Sequence, residues 1–261
     1  MSKKIAILGP EGTFTETAAK KLFKDYEFAY MDAVEDVFKY VDSGLGEGVV
    51  AIENSLEGSV SKTLESLMEY DVKICDEITI DINLCLMKPQ ECGEITVILS
   101  HPHALAQCKK YLKENYPNVK LQASDSTAAA MQELKGMKNA AAIGPKYAAT
   151  TYNLEMIGEN IQDDVSQTRF IVISKKECQG KKTSIIFALK DEAGALYNTL
   201  KIFSEKNINL TKIESRPSRK KLGEYIFYVD FKRGKLEDKE VKEVLRDVEE
   251  KTTMLKNLGS Y

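Results

Sequence analysis

The chain is organised around residues 163–173, which read DDVSQTRFIVI. Two acidic residues and several small polar residues lead into a Thr-Arg-Phe triplet, and a β-branched run follows it. This pattern predicts a polar loop that feeds a buried strand, with Thr168 and Arg169 at the start of the strand. Arginine presents a planar set of donors that suits a carboxylate, and threonine adds a short hydroxyl. The alternative is that Arg169 only makes a structural ion pair with Asp163 or Asp164.

The bulk composition is that of an ordinary globular protein. At 261 residues, the chain is long enough for two or three units, each with its own core. Hydrophobic residues make up 43% and charged residues 30%, and the formal net charge is -3. This balance gives no reason to expect a nucleic-acid or membrane partner. No apolar run approaches bilayer length and no cleavage-site pattern follows the N-terminus, so we expect a cytoplasmic protein.

Cysteine and histidine positions argue against metal and disulfide chemistry. The five cysteines are Cys75, Cys85, Cys92, Cys108 and Cys178. Their odd number and the absence of a CxxC pair predict neither a disulfide framework nor a zinc site. His101 and His103 could form a metal pair, but Pro102 between them is typical of the first turn of a helix. We therefore expect no metal and no cofactor.

Three polar loops each follow a short apolar strand and precede a helical pattern. In the first, residues 12–15, free N–H groups at a helix N-terminus favour an anion. This loop lacks both GxGxxG and GK[ST], so a carboxylate suits it better than a nucleotide. The second loop is residues 53–55 and the third is residues 124–127. The alternative for these two loops is simple helix capping.

Strands and helices alternate through residue 175, which predicts an α/β architecture with a largely parallel sheet. Ligands in such sheets bind beyond the carboxyl ends of the strands, where all three polar loops lie. We place the first unit at residues 1–176. One lobe of this unit covers about 1–75 and 158–176, and a second lobe covers about 76–157.

Residues 177–182 contain a lysine pair and a glycine and are predicted to be a linker. Residues 183–261 then follow a βαββαβ order, which is the ferredoxin-like plan. A unit of this kind has an exposed edge strand, so we expect it to pair with a second copy of the chain.

Six motifs, in this order and spacing, make the first unit resemble prephenate dehydratase: GPEGTFTE, IENSLEGSV, SHPHALAQC, DSTAAA, AAIGP and TRF. Through Gly194-Ala195-Leu196 and Glu214-Ser215-Arg216-Pro217, the C-terminal unit resembles the ACT regulatory domain of that family. No chorismate mutase or prephenate dehydrogenase segment is attached, so the chain resembles the monofunctional form. The resemblance implies a catalytic unit of the type II periplasmic-binding-protein kind, with the active site between its lobes. It also implies conversion of prephenate to phenylpyruvate, water and carbon dioxide, inhibition by L-phenylalanine at the ACT domain, and a homodimer or homotetramer.

The resemblance also assigns residues to sites. The expected catalytic residues are Thr168, Arg169, Phe170, Asn54 and Ser55. The expected substrate-binding residues are Thr13, Phe14, Glu53, Ser126 and Thr127. The expected L-phenylalanine-binding residues are Gly194, Ala195, Leu196, Asn209, Leu210, Glu214, Ser215, Arg216 and Pro217. This chain departs from the family's usual motifs at His103, where glutamine is usual, at Ser166, where asparagine is common, and at Thr15, where serine is familiar.

The chemistry of prephenate suits these residue types. The substrate has two carboxylates and a ring hydroxyl, and the loss of carbon dioxide and hydroxide creates an aromatic ring. The hypothesis is that Thr168 donates to the leaving hydroxyl, that Arg169 anchors a carboxylate, and that Phe14 or Phe170 lines the ring site. The alternatives are arogenate dehydratase, a non-catalytic small-carboxylate binding protein, and an amino-acid sensor.

Overall fold

The computed structural model describes residues 4–218, 224–233 and 237–261. The first unit contains β1 (Ile5–Leu8), α1 (Phe14–Leu22), β2 (Phe28–Met31), α2 (Val34–Asp42), β3 (Glu47–Asn54), β4 (Gly58–Ser59), α3 (Ser61–Glu69), β5 (Lys73–Asp81), β6 (Leu84–Pro89), β7 (Val97–Ser100), α4 (Pro102–Gln107), α5 (Lys109–Asn115), β8 (Lys120–Ala123), α6 (Thr127–Glu133), β9 (Ala140–Pro145), α7 (Tyr147–Thr151), β10 (Leu154–Gly158) and β11 (Gln167–Ser174). The second unit contains β12 (Lys182–Ala188), α8 (Ala195–Glu205), β13 (Leu210–Pro217), β14 (Tyr225–Lys232), α9 (Asp238–Glu249) and β15 (Met254–Ser260).

Two sheets with matching strand orders form the two lobes of the first unit. The sheet of lobe one has the order β2-β1-β3-β11-β5, with β4 paired to β3. The sheet of lobe two has the order β10-β6-β9-β7-β8. In each sheet three parallel strands are followed by one antiparallel strand, which is β11 in lobe one and β6 in lobe two. The expected two-lobed α/β architecture is confirmed.

The first crossing between the lobes lies later in the chain than expected. The predicted boundary at residues 75–76 falls inside β5, which pairs with β11 along its whole length to Asp81. The crossing therefore lies at residues 82–83. A sequence pattern shows that β5 and β6 are both strands, but it does not show which sheet each one joins.

The second unit is a four-stranded antiparallel sheet in the order β13-β14-β12-β15, covered on one face by α8 and α9. This is the expected ferredoxin-like arrangement. Aromatic side chains dominate the core between the helices and the sheet: Phe187, Phe203, Phe227 and Phe231.

The other face of this sheet packs against lobe one. Ile186 and Tyr228 of the second unit share a hydrophobic core with Ile171 of β11. At the C-terminal end of α3, Lys256 donates hydrogen bonds to the carbonyl oxygens of Met68 and Tyr70, at 3.0 and 2.6 Å. A cation is favourable at that helix end, although burial lowers the pKa of Lys256.

One cysteine pair corrects the expectation of no disulfide. Cys75 of β5 and Cys178 of the linker are bonded, with their Cα atoms 5.1 Å apart. The two residues are 103 positions apart in sequence, so no local spacing could have indicated the bond. Cys85, Cys92 and Cys108 are free thiols, and burial raises the pKa of Cys108 to about 12.

Gly48 of β3 lies where α2 crosses the sheet closely. A Cβ atom at this position would be 2.6 Å from Cγ1 of Val37 and 3.0 Å from Cγ2 of Val41. Both valines are fully buried, so neither side chain can move into solvent. The strand therefore needs a glycine here for the helix to pack.

We expect Gly48→Ala to lower the free energy of unfolding by about 1–3 kcal/mol, because it overpacks a closed core. Urea unfolding followed by circular dichroism measures this change. Gly93→Ala is the matched control, since the nearest atom to its added Cβ would be the carbonyl oxygen of Lys138 at an ordinary 3.6 Å. Equal losses of stability in the two variants would contradict the packing argument.

Candidate active site

The pairing of β3 with β11 brings Asn54 and Thr168 together. The end of β3 lies opposite the start of β11, with Asn54 and Thr168 as direct partners. The Asn54 Nδ2 group donates hydrogen bonds to Oγ1 of Thr168 and to Oγ of Ser166, both at 2.9 Å. Ser166 thus provides a hydrogen-bond acceptor at the position where the family commonly has asparagine.

The backbone fixes the orientation of the Asn54 amide. Its Oδ1 atom accepts hydrogen bonds from the N–H groups of Leu56 and Glu57, at 2.9 and 3.1 Å. A backbone N–H can only donate, so the amide oxygen must face these two groups and the amide nitrogen must face Thr168. The Thr168 oxygen therefore accepts from Asn54, and its own hydrogen can be donated to another acceptor.

Ser55 holds the loop that leads into β11. Its hydroxyl accepts a hydrogen bond from the N–H of Gln167 at 2.9 Å, and its own N–H donates to the Gln167 carbonyl at 2.8 Å. Ser55 thus fixes the residue that precedes Thr168. Its contacts are those of a positioning residue.

Arg169 does not face Thr168, which corrects its expected role as a carboxylate anchor. Its Nη1 atom lies 2.7 Å from Asp230 and 3.3 Å from Glu77, and its Nε atom lies 3.6 Å from Glu53. The alternative pairing with Asp163 or Asp164 is also wrong. Successive side chains of a strand point to opposite faces, so Thr168 and Arg169 cannot both enter one cleft.

The expected roles of Glu53 and Phe170 are also corrected, the first by strand alternation and the second by burial. Glu53 precedes Asn54 on β3 and forms an ion pair with Lys212 of the second unit at 3.1 Å. Phe170 is only 2% exposed and belongs to the hydrophobic core of the first unit. Phe14, at the start of α1, is partly buried against that same core and stays a candidate for the substrate ring site.

The N-terminus of α1 already holds an anion that belongs to the chain. The Oε2 atom of Glu16 accepts from the N–H of Gly12 at 2.6 Å, and Oγ1 of Thr13 accepts from the N–H of Glu16 at 3.2 Å. Glu16 is fully buried and lies 2.7 Å from Lys20. Glu16 therefore occupies the N–H of Gly12, the first residue of the loop where a substrate carboxylate was expected, and the assignment of Thr13 to the substrate stays a prediction. A threonine followed three residues later by a glutamate is a known capping pattern that could have indicated this.

The third polar loop contributes a helix cap. Ser126 is the N-cap of α6, and its Oγ accepts from the N–H of Ala129 at 2.9 Å. Thr127 is the first residue of the helix and is half-buried. Both residues lie at the carboxyl end of β8 in lobe two.

Loops at the carboxyl ends of both sheets meet across the cleft. Nδ1 of His103 lies 2.6 Å from Oε2 of Glu57, and Gln107 donates to the other oxygen of Glu57 at 3.2 Å. Burial, with a smaller effect of His103, lowers the pKa of His101. Sequence reasoning missed Glu57 and Gln107, because neither had a visible partner nearby in the chain.

The expected L-phenylalanine residues lie in three groups. Gly194, with φ of +83°, caps α8 near the end of β12. Glu214 and Arg216 line a cleft of about 590 Å³ between β13 and α3. Asn209 and Leu210 lie at the opposite end of β13, since Leu210 pairs with Phe231 whereas Pro217 pairs with Tyr225. Ala195 and Leu196 follow Gly194 at the start of α8, and Ser215 lies between Glu214 and Arg216 on β13.

Glu214 is held as a carboxylate in this structure. Burial is the largest single influence and raises its pKa, but hydrogen bonds from Ser59 and Arg216 and the charge of Lys212 outweigh it, so the net pKa is lowered.

In the parts of the chain that the structure describes, no group of three His, Cys, Asp or Glu side chains is arranged to hold a metal ion. No described helix is both long and apolar enough to cross a bilayer.

Comparisons with known sequences and structures cover both units of the chain. The sequence profile of prephenate dehydratase matches residues 5–178, and that of the ACT domain matches residues 183–250. A prephenate dehydratase of Methanocaldococcus jannaschii is 44% identical, over 100% of this chain and 98% of that protein. An arogenate dehydratase/prephenate dehydratase 2 of Arabidopsis thaliana is 34% identical, over 99% of this chain and 72% of that protein. The chain also aligns with the crystal structure of a prephenate dehydratase from Arthrobacter aurescens in complex with L-Phe. The two sequences are 31% identical, the TM-score is 0.89, and the alignment covers 98% of this chain and 89% of that chain.

Two α/β lobes whose polar loops meet at the carboxyl ends of their sheets, with a ferredoxin-like unit docked behind one of them, define a small-ligand enzyme with a regulatory-type domain. The chain belongs to the prephenate dehydratase family, whose members are lyases, and its C-terminal unit is an ACT domain.

We expect Asn54→Asp to lower kcat for phenylpyruvate formation by about 100-fold or more, as when one active-site donor is lost. The introduced carboxylate can still accept from the N–H groups of Leu56 and Glu57, but it cannot donate to Thr168. The Thr168 hydroxyl then donates to this carboxylate instead of to the substrate. Asn83→Asp is the matched control, because Asn83 accepts from Gln162 and an aspartate can do the same. Near wild-type kcat in Asn54→Asp would contradict the deduced orientation.

Proposed function

We propose that this protein catalyses the decarboxylating dehydration of prephenate to phenylpyruvate, with Thr168 as the donor to the leaving hydroxyl. The observation that carries the proposal is the one-way hydrogen bond from Asn54 to Thr168, which leaves the threonine hydrogen for the substrate.

A cytoplasmic location fits this biosynthetic reaction and is part of the proposal, although a disulfide such as Cys75–Cys178 is unusual in that compartment.

The reaction needs little chemistry from the protein. The bond between the ring and the departing carboxylate breaks, and its electron pair enters the ring. As it does so, the ring hydroxyl leaves with its bonding pair and takes up a proton from the solvent to become water. Threonine is a weak acid, so Thr168 stabilises the developing hydroxide by a hydrogen bond without giving up its proton fully.

The other cleft residues have supporting roles in this proposal. Ser55 positions the start of β11, and Phe14 borders the substrate ring. Ser126 and Thr127 face the substrate from lobe two. The contact between His103 and Glu57 lies at the surface and joins a loop of lobe one to α4 of lobe two.

We also propose that L-phenylalanine binds at the ACT domain and that the site contains parts of two chains. Within one chain, the Gly194 group and the Asn209 group lie at opposite ends of α8. A helix of that length separates them by about 16 Å, so one ligand cannot contact both groups in a single chain. A second copy that pairs along β13, an edge strand, would bring the two groups together.

Exposed apolar side chains support self-association at this edge. Ile213, Tyr225 and Tyr197 are 46%, 47% and 69% exposed, and all three belong to the second unit. Apolar side chains grouped beside an unpaired edge strand are typical of an interaction surface. The proposed assembly is a homodimer through the ACT domain, with a homotetramer if the catalytic units also associate.

The test of the function compares turnover of prephenate and arogenate by the wild type, Thr168→Val and Thr168→Ser. Valine has the shape of threonine without the hydroxyl, so we expect Thr168→Val to lose about 100-fold or more in kcat on prephenate. Serine retains the hydroxyl and should retain most of the activity. Wild-type turnover that is faster on arogenate would assign the protein to the arogenate alternative. Unchanged kcat in Thr168→Val would remove the proposed role of Thr168.

We expect Ile213→Glu to convert the assembly to a monomer and to abolish inhibition by L-phenylalanine, because a buried charge would oppose pairing along β13. Analytical ultracentrifugation and inhibition assays measure the two effects. Leu121→Glu is the matched control, since Leu121 is 48% exposed on β8, the edge strand of lobe two. An Ile213→Glu variant that still associates and responds would place the interface elsewhere.

A further inference from the structure

The two strands that hold the active-site pair each present a charged residue to the ACT domain. Glu53 precedes Asn54 on β3, and Arg169 follows Thr168 on β11. Side chains alternate along a strand, so both charged groups lie on the face opposite the cleft. The ACT domain meets them there with one lysine and one aspartate.

These contacts are close, and three of the four side chains are largely shielded from water, whereas Glu53 is 38% exposed. Nη1 of Arg169 lies 2.7 Å from Asp230, and Nζ of Lys212 lies 3.1 Å from Glu53. The side chains of Arg169, Asp230 and Lys212 are 13%, 6% and 8% exposed. Arg169 also approaches Glu53 at 3.6 Å, so the two pairs form one connected group. Charges so poorly hydrated depend on their partners and resist being separated.

The same group of charges continues into the strand that carries the candidate effector residues. Nζ of Lys212 lies 3.3 Å from Glu214, two residues along the same face of β13. Glu214 in turn accepts a hydrogen bond from Ser59, and Arg216 donates to Ser61 at 2.9 Å. Ser59 and Ser61 lie just after the loop that begins at Asn54. One face of β13 is therefore tied to both ends of that loop.

We propose that the Asp230–Arg169 and Lys212–Glu53 ion pairs carry the regulatory signal from the ACT domain to the Asn54–Thr168 pair. This inference rests on the proposed inhibition by L-phenylalanine. A ligand that contacts Glu214 or Arg216 alters the charge and position of the face of β13 that holds Lys212. Glu53 and Arg169 are bonded through the backbone to Asn54 and Thr168, so a shift of either charged residue changes the active-site hydrogen bond. Glu53 and Arg169 are thus positioning residues.

A purely structural role for these ion pairs leads to a different result. If they only held the two domains together, removing one of them would lower stability and leave the response to L-phenylalanine intact. If they carry the signal, removing one separates binding of L-phenylalanine from inhibition. The informative quantity is therefore the inhibition that remains when the ACT site is saturated.

The experiment uses the full-length chain with Asp230→Asn and, separately, Lys212→Met. The asparagine can still accept the hydrogen bond from Ser184, and Lys212→Met serves if Asp230→Asn does not fold. Asp247→Asn is the matched control, because Asp247 pairs with Lys206 inside the ACT domain. For each variant, kcat and KM for prephenate are measured with and without saturating L-phenylalanine, and the Kd for L-phenylalanine is measured by calorimetry.

We expect both test variants to bind L-phenylalanine and to remain active, while the inhibition at saturation weakens at least about fivefold, the lower end of typical allosteric coupling. The control should be inhibited like the wild type. Test variants that bind L-phenylalanine and are fully inhibited would overturn the inference and leave the proposed function standing. A wild type that turns over prephenate but does not respond to L-phenylalanine would overturn the proposed regulation and this inference together.

Discussion

The alternation of side chains along β3 and β11 is the constraint on which the rest of the structure depends. These neighbouring strands are buried on both faces, so the side chains of two consecutive residues point into two different environments. Asn54 and Thr168 face the cleft, while Glu53 and Arg169 face the ACT domain. The sheet is only one residue thick at this point, and no helix or loop separates the chemistry from the regulatory unit. A single register error between the two strands would place charged groups in the cleft and the hydroxyl behind it.

Buried charge explains why the ACT domain docks in one orientation. Hydrophobic packing of Ile186 and Tyr228 against lobe one is not directional and would tolerate rotation of the two surfaces. The ion pair between Arg169 and Asp230 does not tolerate such rotation, because a misaligned docking would leave a charge without a partner in a poorly hydrated site. Lys256 adds a further directional contact at the end of α3. Apolar area thus supplies affinity between the units, and the ion pairs select the geometry.

The limits of sequence reasoning here are physical. The motif order assigned Asn54 and Thr168 to the candidate site, and the strand and helix periodicities predicted the two-lobed fold and the ferredoxin-like unit. The opposite placement of Thr168 and Arg169 could also have been predicted, since it needs only the two-residue period of a strand. Contacts between distant segments could not have been predicted from the sequence. Asp230 lies 61 residues from Arg169, and neither residue carries a local pattern that points to the other. The direction of the Asn54 hydrogen bond likewise depends on backbone N–H groups whose positions are known only once the chain has folded.

The disulfide between Cys75 and Cys178 gives the molecule an unusual covalent outline. Its two ends lie on either side of every strand and helix of lobe two, so that lobe is a closed ring of polypeptide rooted in lobe one. A protease that cuts the backbone once within this ring opens the chain without dividing it. The two fragments stay joined through sulfur and migrate as one species until a reductant is added. For this protein, an intact band on a non-reducing gel is therefore no proof of an intact backbone.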